Sequence, residues 1–488
     1  MGRQAAIAVL QTQLARTMCL AMAATAAAKC GAAPQVGVYY YPWYGPGSGG
    51  HTFDDTLRAH LTPDPQLPAA GLNGRDASVV ERHIDQSHTG NISMWSLSWW
   101  GPGGFEDITI RNHILTHPRA PELQYTIHYE SAGRMAPIDS PDYSNLLPDF
   151  RHLANHIWSD PNYMRIDGRP VVFMYLTREF FKTPESWSLL SDTREAIAQE
   201  YGYAPYIIGD DFFGSSPVDT ARAAQFDAIT NFDVYGTVFG GGFANQSRVN
   251  ALASIYANAK AAAAAAGVGF VPTASPGFND TAVRPGPAPA ARYLAELGPN
   301  ANGSTFTTVL EDAVLPNTDP TVGDLIMINS FNEWHEDTQI EASVLAALTN
   351  SDDSSTGAAF TRGRYDEGYG SLYLDLLRTA TVLAGDYNFD GAVDPADYSV
   401  WRADYNHTGI DVAADGNRDG TVDAADYVVW RDALAAVGDA RNSPITVPEP
   451  GARLLASALC LTLGITPSRR FPERLGFLDA LIKSRRRP

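Results

Sequence analysis

Eight short runs rich in β-branched and aromatic residues, each followed by a stretch of helical spacing or a long polar loop, restrict this chain more than any other feature of its sequence. They are VGVYYYPWY from Val36, NISMWSLSWW from Asn91, LQYTIHYE from Leu123, PVVFMYL from Pro170, APYIIGDDF from Ala204, DAITNFDVY from Asp227, GFVPTASPGF from Gly269 and DLIMINSFNEW from Asp324. Their near-continuous apolar character is that of strands covered on both faces in a parallel sheet; a half-solvated strand would alternate. Helical spacing falls at Ala77 to His88, Asp107 to Leu115, Leu146 to Trp158, Ser186 to Tyr201, Val249 to Ala266, Ala290 to Leu297 and Gly370 to Leu383, with Gly267 as the stop after an alanine run. Eightfold alternation predicts a closed (β/α)8 barrel over residues 35–384, with its chemistry at the C-terminal ends of the strands. A doubly wound open sheet is the rival, but no glycine-rich phosphate turn follows the first run.

Composition narrows the ligand. A formal charge of -20, from 35 Lys and Arg against 55 Asp and Glu, argues against a nucleic-acid partner, whose phosphates require a basic stripe. The expected strand ends instead carry carboxylates and aromatics: Tyr41 to Tyr44, Trp99 and Trp100, His128 to Glu130, Asp210 and Asp211, Asp233 to Tyr235, Asn279 and Asp280, and Asn332 to Glu336. Such a cleft, with no Lys or Arg cluster in the sequence around it, suits an uncharged polyhydroxylated ligand. The densest segment is SFNEWHEDTQIEAS from Ser330, which sets Glu333 and Glu336 three residues apart with Glu341 further on. Two carboxyls, one an acid and one a base or nucleophile, are what glycoside cleavage needs. A Glu pair at this spacing is also common on solvated helix faces, and its place after an apolar strand is what favours a site. No HxxxH or HxH spacing around His128 or His335 points to zinc.

The segments YYYPWYG, SWWGPGG, HYE, NYMRIDGRPVVFMY, NFDVYG and SFNEWHEDTQIE, in this order over Val36 to Leu383, resemble glycoside hydrolase family 99, the endo-α-mannosidases and endo-α-mannanases. The resemblance implies a (β/α)8 barrel, retention of anomeric configuration through a 1,2-anhydro sugar, an α-linked polysaccharide or oligosaccharide substrate, and no catalytic cofactor. It implies Glu333 as the base on the substrate 2-hydroxyl and Glu336 as the acid on the leaving oxygen. Glu130 matches a carboxylate beside the base, Trp100 a residue beneath the sugar, and Tyr41, Tyr44 and Tyr235 the active-site aromatics; Asn332 and His335 belong to the same motif as candidate substrate contacts. Asp337 stands where family members often have Gly. Another α-glycan or a sulfated heteroglycan remains open as substrate, as does a non-catalytic glycan-binding scaffold.

A second signal occupies residues 385–440. GDYNFDGAVDPADYSVWRADY and AADGNRDGTVDAADYVVWRDAL repeat Asp386, Asn388, Asp390, Gly391, Asp394 and Asp397 as Asp415, Asn417, Asp419, Gly420, Asp423 and Asp426. Oxygen ligands at positions 1, 3, 5, 9 and 12 with Gly at 6 make a calcium loop, and both copies comply. Asp at position 12 with the DYxVWR helix start resembles dockerin type I modules, small EF-hand-like helical units. Docking to a cohesin-like protein and bracing of the chain near the cell surface are both open uses.

At the N-terminus, residues 1–34 carry Arg3 and Arg16 before an apolar run from Thr17 to Ala28 and read as an export signal. The three cysteines, Cys19, Cys30 and Cys460, supply no disulfide framework. Residues 441–488 hold Pro448-Glu449-Pro450, an apolar stretch from Leu454 to Ile465 and then basic residues, an order resembling a PEP-CTERM sorting signal. The apolar stretch is shorter than the roughly 20 residues a span requires. The expected location is secreted, periplasmic or cell-surface, with membrane contact only through this tail.

Overall fold

The computed structural model describes residues 33–239, 242–284, 288–389, 391–408, 413–417 and 421–442; the expected export signal and sorting tail lie outside them. Among the described residues every strand lies in one compact unit, Gly31–Arg431.

All eight apolar runs contain a strand. They are β1 (Val36–Tyr40), β2 (Met94–Trp99), β3 (Gln124–Tyr129), β4 (Arg169–Met174), β5 (Tyr206–Asp210), β6 (Ala228–Thr230), β7 (Gly269–Val271 and Thr273–Ala274) and β8 (Ile326–Ile328). Each pairs in parallel with its neighbour in sequence, and β8 pairs with β1 through Val36↔Ile326 to Val38↔Ile328. Pro272, which has no N–H to give, divides β7: its first part pairs with β6 and its second with β8, which completes the ring. An open doubly wound sheet is thereby excluded.

Alternation along the strands separates two layers of core. Val36, Val38 and Tyr40 of β1, Val172 and Met174 of β4 and Ile326 and Ile328 of β8 pack outward under the helices, while Tyr39, Val171, Phe173 and Met327 fill the barrel. Gly37 takes its turn inward where a Cβ would stand 2.2 Å from Met94 Cε and 2.6 Å from Met327 Sδ, so those two methionines close the floor only over a glycine. Towards the top of β2 and β3 the inward positions turn polar, with Ser96, Ser98, Thr126 and His128 all buried.

The outer helices begin and end where the sequence says they should. Helix α1 (Ala77–Thr89) is capped by Asp76, which accepts the Ser78 N–H, and α2 is Leu146–His156. Helix α3 (Pro184–Tyr201) starts with a Thr183/Ser186 capping box and stops at Gly202, φ 80°. Helix α4 (Gln246–Ala266) runs from an Asn245 cap to Gly267, φ 77°, and α5 is Leu372–Thr381. One expected helix is absent. Ala290 to Leu297 is irregular because Ala290 pairs with Phe278 and Arg292 turns into a buried ion cluster; the helical turns before β8 lie instead at Ser304–Thr308 and Val309–Val314.

Candidate active site

The loop after β8 is fixed before any catalytic group is considered. Phe331 N–H donates to Tyr39 O at 2.8 Å, and the Asn332 amide brackets the Tyr41 peptide, accepting its N–H at 2.7 Å and donating to its carbonyl at 3.0 Å. Asn332 therefore joins the ends of β1 and β8. Trp334 is fully buried and gives its indole N–H to Glu341 Oε2 at 2.8 Å, while Glu341 Oε1 meets His83 of α1 at 3.0 Å. The expected third carboxylate of the motif is thus spent on packing the loop. Asp337, at φ 50°, is buried between Arg58 (2.7 Å) and Arg292 (3.2 Å), with Asp366 on the far side of Arg58 at 3.2 Å. Two carboxylates balance two guanidiniums directly behind Glu336.

Three carboxyls converge on the mouth of the barrel. Glu130, just past β3 and 4% exposed, accepts the Ser98 hydroxyl at 2.6 Å. Burial, with the charges of Glu333 and Glu336 adding to it, pushes its pKa up to about 8. Glu336 keeps 26% of its side chain exposed, as a group that meets a substrate must, and burial plus the Glu333 charge raises it to about 8 against the pull of Arg284 at 2.8 Å. Glu333 is also raised by burial, but His335 works against that rise, its backbone N–H donating to Glu333 Oε1 at 2.9 Å. Of the three, Glu333 has the strongest reason to be ionised. The Tyr41 phenol lies within reach of all three charges; burial and those charges keep it protonated, a donor. Below Glu130, His128 stacks on Phe232 at 5.2 Å, and burial pushes it down to about 3, so it is neutral, and among the described residues no zinc ligand set forms around it.

Trp99 and Trp100 part company. Trp99 is core, bonded to Asp107 Oδ1 at 3.0 Å, whereas Trp100 is 38% exposed and gives its Nε1–H at 3.1 Å to Ser98 Oγ, the same hydroxyl that Glu130 accepts. It lies over Gly133, where a Cβ would come within 2.3 Å of the ring, so that glycine makes room for an aromatic platform. Tyr44 stacks on His335 at 5.3 Å and bonds its Nδ1 at 2.9 Å. Tyr235 reaches the wall of the site but stacks on Phe278 at 4.2 Å and donates its hydroxyl to Ala288 O, so it holds the loop after β7. Asp210 and Asp211 hold loops too, through Arg178 at 2.5 Å and Arg222 at 2.6 Å. Trp43, Ser98 and Tyr175, which lie in the motifs YYYPWYG, SWWGPGG and NYMRIDGRPVVFMY without being singled out there, also belong to the site, as do His51, Asp55 and Arg284, which come from loops remote in sequence from the residues they serve. One arginine, Arg284, does enter the site, paired with Asp280 at 2.5 Å and Glu336 at 2.8 Å.

The family model described as glycosyl hydrolase family 99 matches residues 48–354, a stretch containing Trp100, Glu130, Glu333 and Glu336. The chain belongs to that family. It is 26% identical over 316 residues to the glycoprotein endo-alpha-1,2-mannosidase of Mus musculus, covering 62% of this chain and 61% of that protein. The Homo sapiens glycoprotein endo-alpha-1,2-mannosidase-like protein is 25% identical over 343 residues, covering 63% and 68%. The chain thus spans about three fifths of the first of these relatives. A solved structure titled glycoside hydrolase-like protein superposes with a TM-score of 0.50 at 18% identity, covering 73% of this chain and 96% of that one, and supports the barrel.

The raised Glu130 carboxyl has a measurable consequence. A carboxyl whose folded pKa exceeds its unfolded value contributes stability below the unfolded value that is lost as pH rises through the folded one. Glu130→Gln is therefore expected to melt higher than wild type at about pH 9 and no higher at about pH 4, a crossover that thermal melts at the two pH values will reveal.

The C-terminal repeat folds as two equivalent loops before α6 (Pro395–Asp404) and α7 (Ala424–Asn442). Asp397 accepts the N–H groups of Asn388 (3.0 Å) and Asp394 (2.8 Å); Asp426 accepts those of Asn417 (2.9 Å) and Asp423 (2.7 Å). Asp386 takes the Gly391 N–H at 3.0 Å, and the indoles cross over, Trp401 to Asp423 O at 2.8 Å and Trp430 to Asp394 O at 2.9 Å. Asp390, Asp419 and Gly420 lie outside the described residues, and among the described residues no group of three or more His, Cys, Asp or Glu side chains is placed to hold a metal. The reciprocal bonds of Asp394 and Asp397 make the capping box that starts α6.

Proposed function

We propose that the protein is a secreted, retaining, endo-acting α-mannosidase or α-mannanase that works through a 1,2-anhydro sugar. The observation that carries this reading is the asymmetry of the carboxyls: Glu336 is 26% exposed at the mouth, while Glu333 is 3% exposed with the His335 ring 3.4 Å away, and the ring's pKa is raised despite burial by Glu333 and Asp55. Glu333 takes the proton of the substrate 2-hydroxyl, O2 attacks C1, and the C1–O bond breaks as Glu336 gives its proton to the leaving oxygen. Glu336, now a carboxylate, takes a proton from water; the water oxygen bonds to C1, the C1–O2 bond opens, and Glu333 returns its proton to O2. Configuration is retained by two inversions. Trp100 supplies a face for the sugar and Glu130, protonated, a donor to a hydroxyl. A scaffold without catalysis is disfavoured by this pairing of an acid with a base.

One observation favours a second substrate class. Arg284 is 56% exposed at the mouth of the site, and an anionic substituent on an α-glycan, such as a sulfate ester, would share its guanidinium with Asp280 and Glu336. Incubating the chain with neutral α-mannans, glucosylated high-mannose glycans and sulfated α-glycans separates the two: oligosaccharide release from the neutral set supports the first reading, release from the sulfated set alone the second. The likenesses of the terminal stretches support export and retention at the cell surface, and the repeat is proposed as a dockerin-like calcium module with a cohesin-like partner. Asp386, Asn388, Asp390, Asp394 and Asp397, with their counterparts in the second copy, would hold the ions. Calcium at about 1 mM is expected to protect the amides of residues 385–431 from hydrogen exchange, and a chelator to remove that protection. Unchanged exchange overturns the module.

A further inference from the structure

His335 is buried, 7% exposed, yet both ring nitrogens face oxygen. Nδ1 lies 2.9 Å from the Tyr44 hydroxyl and 3.4 Å from Glu333 Oε1, and Nε2 lies 3.0 Å from Asp55 Oδ1. The Tyr44 oxygen already accepts the Trp334 N–H at 3.1 Å. A neutral ring that gives Nε2–H to Asp55 accepts the Tyr44 hydroxyl at Nδ1 and offers Glu333 nothing; the imidazolium also points an Nδ1–H at Glu333 Oε1 and the Tyr44 oxygen. The ring cannot swing away, because Tyr44 stacks on its face while Trp43 (5.8 Å) and His51 (5.3 Å) meet it edge-on. Asp55 is 55% exposed and Glu333 3%, so the row runs from water to the innermost carboxylate.

We propose that His335 and Asp55 are positioning residues which seat an imidazolium between two carboxylates and so hold Glu333 ionised as the base, leaving the remaining proton of the pair on Glu336. The inference rests on the assignment of Glu333 as base. The titratable groups around the ring are Glu333 from the loop after β8 and Tyr44, His51 and Asp55 from the loop after β1, with Glu341 behind Tyr44 and Arg284 bearing on Glu333. Glu333 and Asp55 favour the charged ring and outweigh both its burial and His51, which oppose it.

The test is the pH dependence of kcat and KM for the full chain, His335→Gln and Asp55→Asn on the glycan that wild type cleaves best. A base acts when deprotonated, so kcat/KM rises with pH through the pKa of Glu333. Loss of a cation within about 4 Å raises that pKa by about one unit or more. The acidic limb is expected to move up by about one pH unit in His335→Gln and by a few tenths in Asp55→Asn, with kcat reduced and KM within about twofold. An unmoved limb in both variants, or a change confined to KM, overturns the proposal. Should His335→Gln fail to fold, the solvent-facing Asp55→Asn decides alone. Should wild type cleave no α-glycan, the functional reading fails separately, and nitrogen NMR of the His335 ring decides: protonation persisting well above the ordinary histidine value of about 6.5, and falling in Asp55→Asn, supports the relay, while a ring neutral at that pH sinks it.

Discussion

Glu336→Gln is expected to lower hydrolysis of an unactivated α-mannan about 10³-fold, and Glu333→Gln by a similar factor, with each variant still folded and still binding sugar. Equal losses alone would not say which carboxyl does what, but the leaving group does. An aryl glycoside whose phenol departs unprotonated needs no acid in the first step, so Glu336→Gln should regain most of its glycone transfer and show a burst of phenol. Glu333→Gln should regain nothing, because the 2-hydroxyl must still lose its proton. The pH profile makes the same division. An acid acts while protonated, so the basic limb of kcat/KM in wild type reports Glu336, whose pKa burial and the Glu333 charge carry to about 8. With the aryl substrate that limb should disappear in Glu336→Gln. Rescue of Glu333→Gln instead would reverse the two roles, and full activity in either variant on the natural glycan would end the assignment.

The barrel was readable because parallel strands buried on both faces leave continuous apolar runs, and all eight runs from Val36 to Asp324 contain the strands. What defeated sequence reasoning was tertiary. The segment Ala290 to Leu297 has helical spacing, but Arg292 is drawn inward to Asp337, 45 residues away, and no local pattern announces that demand. The acid and base were readable for a different reason, as a short motif at a strand end. Their partners were not: Asp55 meets His335 across 280 residues, and Ser98 meets Glu130 across 32. Asn332 adds a role the motif did not show: its amide ties the loop after the last strand to the Tyr41 peptide at the end of the first.

Asp337 provides the second large effect. It occupies a left-handed backbone position, φ 50°, that glycine would adopt more easily, so the side chain must contribute enough to offset that strain. What it contributes is charge: among the described residues Arg58 and Arg292, 0% and 2% exposed, face only Asp337 and Asp366 as carboxylates. Asp337→Ala leaves one buried guanidinium uncompensated and keeps a Cβ at a φ that alanine tolerates less well than aspartate, and is expected to lose about 3–5 kcal/mol by denaturant titration. Asp337→Gly relieves the backbone but not the charge and should lose nearly as much; Asp337→Asn, which keeps the shape, one of the two accepting oxygens and a residue at ease in this region, should lose least. The two guanidiniums overcome burial to hold the Asp337 carboxyl below its ordinary range, so its contribution is present above the unfolded value of about 3.9 and fades as pH falls through the folded one. The gap between wild type and Asp337→Asn should accordingly be constant from about pH 6 to 9 and close in strong acid. Because residue 337 directly follows Glu336, a variant that keeps its stability yet loses turnover would show that the buried ions also aim the acid. An Asp337→Gly protein as stable as wild type would show instead that the arginines need no carboxylate there.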